Sequence, residues 1–147
     1  MTARLLEEVH DHTRLNSVPP PAVRRALEAA DLAWPASGPE EIGALLARTF
    51  GVSGFLAGEL LRYSERAGSA RGSASPAAVA FTLGLYGADG RLIWRASFDE
   101  SQQSLMDDPG SFRRAWDRGF RWLTAEQIAA YGAREVVGRL PDPGDAP

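Results

Sequence analysis

The sequence predicts an α/β domain of the α+β type: a mixed, mainly antiparallel sheet of about four strands, with helices packed mostly on one face. Three observations carry that expectation. Val79, Phe81, Leu83 and Leu85 alternate with Ala80, Thr82, Gly84 and Tyr86, and a period of two puts successive side chains on opposite faces of a strand. Leu92, Trp94, Ala96 and Phe98 repeat the pattern after Asp89-Gly90, a dipeptide suited to a tight hairpin. Elsewhere, apolar residues recur at the i, i+3, i+4, i+7 spacing of amphipathic helices.

Taken in order, Leu5, Leu6 and Val9 lie on one face of a short helix from about Thr2 to Asp11. Arg14-Leu15-Asn16-Ser17-Val18 reads as a short strand stopped by Pro19-Pro20-Pro21. A helix from about Pro21 to Ala30 groups Val23, Ala26, Leu27 and Ala30, because proline's fixed φ suits a first helical turn. Leu32-Ala33-Trp34-Pro35 is a connector. Ser37-Gly38-Pro39-Glu40 has the form of a capping box, so the next helix should begin there. Ile42, Leu45, Leu46, Thr49 and Phe50 supply its apolar face, and Gly51 is placed to be its left-handed stop.

From Val52 to Tyr63 the apolar residues are nearly continuous, the pattern of an interior strand covered on both faces. Ser64 to Ser75 is small, polar and flexible, and reads as a hairpin connection rather than a domain boundary. After the two alternating strands, Asp108-Pro109 reads as a cap with a first-turn proline, opening a short helix with Phe112, Ala115 and Trp116 on one face before Gly119. Thr124-Ala125-Glu126-Gln127 is a second capping box, with Leu123 and Ile128 at the positions of a hydrophobic staple. That helix is expected to end near Tyr131-Gly132. Residues 1–140 are expected to form one domain, and Pro141 to Pro147 a flexible tail.

Composition narrows the function. The 147 residues are 44% hydrophobic and 24% charged, ordinary for a globular chain. Net charge is −3 and every basic residue is an Arg, with the closest pairs, Arg24-Arg25 and Arg113-Arg114, on expected helices. No broad positive field awaits a phosphate backbone, so nucleic-acid binding is not expected. There is no Cys, hence no disulfide framework and no thiolate chemistry. Glu7 and Glu8 stand where a signal peptide would be apolar, and no stretch approaches the ~20 apolar residues of a membrane span.

No cluster in the sequence assembles a recognisable catalytic constellation. His10 and His12 flank Asp11, but residues two apart on a helix face different ways and no third ligand is near. Asp99-Glu100 and Asp107-Asp108 are paired carboxylates of the kind that divide acid and base roles. Gly84 to Gly90 is rich in glycine yet joins two strands, whereas a phosphate loop enters a helix. Trp94, Trp116, Trp122, Phe98 and Phe112 have core spacing, or would form a stacking wall for a ligand. Gln102 and Gln103 close a strand with uncharged amides, fitted to a hydrogen-bond network. No cofactor or metal is expected.

Ser75-Pro76-Ala77-Ala78-Val79-Ala80-Phe81, the hairpin through Asp89-Gly90, Leu92 to Leu105 and the closing Trp122-Leu123-Thr124-Ala125-Glu126-Gln127 together resemble a family of bacterial envelope lipoproteins of unknown activity. Their fold is like those of the TolB N-terminal domain, the curli secretion lipoprotein and the penicillin-binding-protein activator lipoproteins. The resemblance implies a noncatalytic envelope domain acting in protein–protein interaction or assembly, in the periplasm or at the outer membrane. Its partner would be another envelope protein or a second copy, with Trp94, Gln102, Gln103 and Trp122 as a partner-binding or structural network. Members of the family begin with a signal peptide, a lipid-bearing Cys and a strand. The chain is therefore expected to be either a truncated lipoprotein, anchored only through an upstream segment, or a soluble relative, cytoplasmic if it starts at Met1. The missing strand would leave an open sheet edge or groove.

Two expectations of other classes stand beside this one. The first is a small hydrolase or ligand-binding enzyme using Asp99 or Glu100 near the aromatic cluster. The second is a small-molecule binding module lined by Trp94 and Trp116, which requires a cavity of ligand size.

Overall fold

The computed structural model describes residues 16–65, 77–101 and 124–141. Among them, the elements follow in the order α1 (Pro20–Ala29), α2 (Pro39–Phe50), β1 (Gly54–Ser64), β2 (Ala78–Gly87), β3 (Leu92–Ser101) and α3 (Ala125–Val137). The strands form one antiparallel sheet in the order β1-β2-β3, an α+β arrangement. Three of the about four expected strands are described, and all of them pair antiparallel. Asn16, Ser17 and Val18 belong to no strand. The three prolines that follow offer a ladder no N–H, and α1 already starts at Pro20. The helices expected over 2–11 and 108–119 lie outside the described residues.

The central strand is β2, buried along both faces except at Thr82 and Leu85. β1, expected inside, is an outer strand among the described residues, exposed from Gly58 onward. Charge decides between them: β2 has no ionisable group but the Tyr86 phenol, whereas β1 carries Glu59 and Arg62, which an interior would have to desolvate. Val79, Phe81 and Leu83 of β2 and Phe98 of β3 pack with Ala125, Ile128, Ala129 and Val136 of α3 in the main core. Fully buried Phe81 and Ile128 each contribute on the order of 1.5–3 kcal/mol by removal from water. On the opposite face, Tyr86 stacks on Phe55 at 5.3 Å, and Trp34 of the α1–α2 connector leans on Tyr86 at 5.2 Å. So α3 covers one face of the sheet and a connector covers part of the other.

The β2–β3 hairpin forms as expected. The Gly90 N–H donates to the Gly87 carbonyl, Gly90 adopts φ +81°, and the Gly87 N–H closes the turn on the Arg91 carbonyl. The turn rests on the start of α2, where a Cβ on Gly90 would lie 2.5 Å from the Glu40 nitrogen. Gly51 stops α2 at φ +68° as expected.

The Ser37 capping box does not form. Pro39 takes the first helical position and makes Gly38 the N-cap, which leaves Ser37 one residue too early, its hydroxyl accepting from the Ala33 N–H. The Thr124 box does form, with Thr124 and Gln127 exchanging side-chain to backbone bonds. The staple residue Leu123 lies outside the described residues. α3 runs past Gly132 to Val137 because that glycine is a point of contact, not a stop: a Cβ there would sit 2.6 Å from the Phe98 ring.

Candidate functional site at the open edge of the sheet

The outer side of β1 pairs with no strand among the described residues. Its register against β2 is regular from Gly54 to Leu60, slips by one residue, and resumes at Arg62 opposite Ala80. Leu61 is the extra residue of that bulge. The slip matters for direction. Glu59 stands opposite Thr82 and Arg62 opposite Ala80, and Thr82 and Ala80 share a face, so Glu59 and Arg62 share it too. By the same reasoning Gly58 and Tyr63, opposite Leu83 and Val79, both belong to the α3 face.

Three large apolar side chains stay in solvent along this stretch: Leu60 at 51%, Leu61 at 60% and Tyr63 at 45% exposure. Scattered exposed leucines are ordinary, but these are nearly consecutive on a strand whose outer side is open among the described residues. Natural edge strands are usually blunted by charges and bulges. β1 has both devices and still presents the leucines between its charges.

Polar contacts fix the strand's far end. Arg62 forms an ion pair with Asp99 of β3 across Ala80, both side chains being substantially exposed. The Glu65 carboxylate accepts the Ala125 N–H at 3.3 Å, so a negative charge meets the first turn of α3. The Tyr63 hydroxyl donates to Glu65 at 3.4 Å. Local desolvation, then the Glu65 and Glu126 carboxylates, hold that hydroxyl protonated above its ordinary range.

Of the residues singled out in the sequence, Trp94, Phe98, Asp99 and Glu100 fall among the described ones. Trp94 packs half-buried against the core on the α3 face, opposite Leu85. Asp99 stands opposite Ala80 and Glu100 opposite Val79, so the two carboxylates point to opposite faces and form no acid–base pair with each other. Gln102, Gln103, Trp116, Trp122, His10, His12, Asp107 and Asp108 lie outside the described residues. Among the described residues, no group of three or more His, Cys, Asp or Glu is placed to hold a metal, and no helix is long and apolar enough to cross a membrane.

No protein-family model, curated protein or solved structure matches the chain. Its residues alone must carry the reading. The sequence marked the stretch from Val52 to Tyr63 as apolar but placed it inside; the signal that places it outside is the pair of charges embedded in it. The Trp34–Phe55–Tyr86 cluster was also missed, because its members come from a connector and two strands far apart in sequence. The Trp34 indole N–H is buried there without an acceptor among the described residues.

Proposed function

We propose that this chain is a noncatalytic protein-interaction domain that docks an extended protein segment along β1. The carrying observation is the coincidence of a ladder that pairs with no strand among the described residues with exposed Leu60, Leu61 and Tyr63. Strand addition uses such an edge economically: main-chain hydrogen bonds supply affinity, and alternate side chains supply selectivity. The divergence of Asp99 and Glu100 supports this reading over the enzymatic one. Placement in the bacterial envelope, beside another envelope protein or a second copy, comes from the lipoprotein resemblance, and fractionation of the native cell tests it.

Affinity capture with the intact chain, against a Leu60→Lys/Leu61→Lys variant that keeps the wild-type circular dichroism spectrum, tests the docking edge. Both positions are already in solvent, so the variant is expected to fold and to lose the partners that wild type retains. Retention of the same partners by both proteins contradicts the proposal.

A further inference from the structure

We infer that the occupant of the β1 edge is a second copy of this chain, joined antiparallel about a two-fold axis that sets Glu59 of each copy opposite Arg62 of the other. The inference rests on the proposed use of that edge for protein contact, and it specifies both partner and register.

The strand is complementary to itself when two copies run antiparallel. In a two-fold antiparallel pair, opposite residues have numbers with a constant sum and must share a face. Residues three apart on a regular strand fail the second condition. The bulge at Leu61 removes the obstacle, because it puts Glu59 and Arg62 on one face and Gly58 and Tyr63 on the other.

A single register then satisfies two pairings at once and centres the leucines. Each Glu59 meets an Arg62, so unlike charges face each other twice. Each Tyr63 ring lies beside a Gly58, whose missing side chain leaves it room. Leu60 and Leu61 flank the axis, which brings together the most exposed apolar residues of the strand. Shifting the register by one residue either way sets both charges opposite uncharged residues, and centring the axis on Glu59 or on Arg62 opposes like charges. In the paired state Arg62 sits between Asp99 of its own chain and Glu59 of the second copy, a cation between two carboxylates. The charges and the bulge that would repel a random strand are thereby matched by a strand carrying them in reverse order.

Sedimentation velocity over a concentration series tests the inference with the full chain. Wild type is expected to form dimers. Glu59→Arg sets an arginine against Arg62 at both symmetric pairs and is expected to weaken association about tenfold or more. Arg62→Glu, made with Asp99→Asn to avoid repulsion within the chain, is expected to weaken it likewise. Mixing the two variants restores unlike pairs at both positions and should return the dimer. A wild type that stays monomeric at its highest soluble concentration, variants that dimerise as wild type does, or a mixture that fails to associate overturns the inference. If wild type is monomeric yet still captures another chain through Leu60 and Leu61, only the second-copy assignment falls; if it captures nothing, the docking edge falls with it.

Discussion

Gly132 shows how one missing side chain positions a whole helix. It lies on the buried stripe Ala125, Ile128, Ala129, Gly132, Ala133 and Val136, which follows the i, i+3, i+4, i+7 rule without interruption. A Cβ at this position would come within 2.6–2.7 Å of three Phe98 ring carbons. Gly132→Ala, although it improves helix propensity, is therefore expected to destabilise the fold by roughly 1–3 kcal/mol through overpacking, measured by urea denaturation. An increase in stability would mean that the ring moves aside freely. The same residue explains a misreading. In sequence, glycine after an apolar helical stretch is a stop signal, and only the Phe98 ring beneath it shows that here it is a contact. Asp31 is the converse case: it takes the left-handed position after α1 at φ +54°, where glycine is usual, and nothing in its sequence neighbourhood announces the end so sharply.

Local chemistry made several elements legible. Asp89-Gly90, Gly51 and the Thr124 box each act within a few residues of themselves, so their geometry follows from sequence alone. Thr124→Ala removes the oxygen that accepts the Gln127 N–H and is expected to cost about 1 kcal/mol, read as a lowered urea midpoint with unchanged slope. No loss would show that Glu65, which accepts from Ala125, caps the helix sufficiently. Where two local signals compete, sequence reading fails: Ser37 and Pro39 both announce a helix start, and proline prevails because its φ is fixed covalently. β1 fails for a different reason. Apolar continuity predicts burial only if the fold has something to lay over the strand, and the order β1-β2-β3 leaves its outer side open among the described residues.

At the scale of the molecule, α3 commits one face of the sheet to the core, the Trp34 connector covers part of the other, and the hairpin turn rests on α2. Among the described residues β1 and β3 are both outer strands, and on β1 the apolar surface, the bulge and the two charges coincide on one short stretch. The candidate site was half visible in the sequence: its composition was plain, but its exposure depends on strand order, which no local pattern encodes. Neither Asp99 nor Glu100 marks the site as an acid–base pair would, since adjacent strand residues face apart. Asp99 instead steadies Arg62, the charge on which the proposed register depends.

The most direct test of this edge is amide hydrogen exchange of residues 57–63, followed by mass spectrometry as the concentration of the intact chain is raised. Pairing along β1 predicts that these amides gain protection with concentration while those of β3 do not. Exchange in β1 that is independent of concentration, or protection that grows at β3 instead, would contradict it.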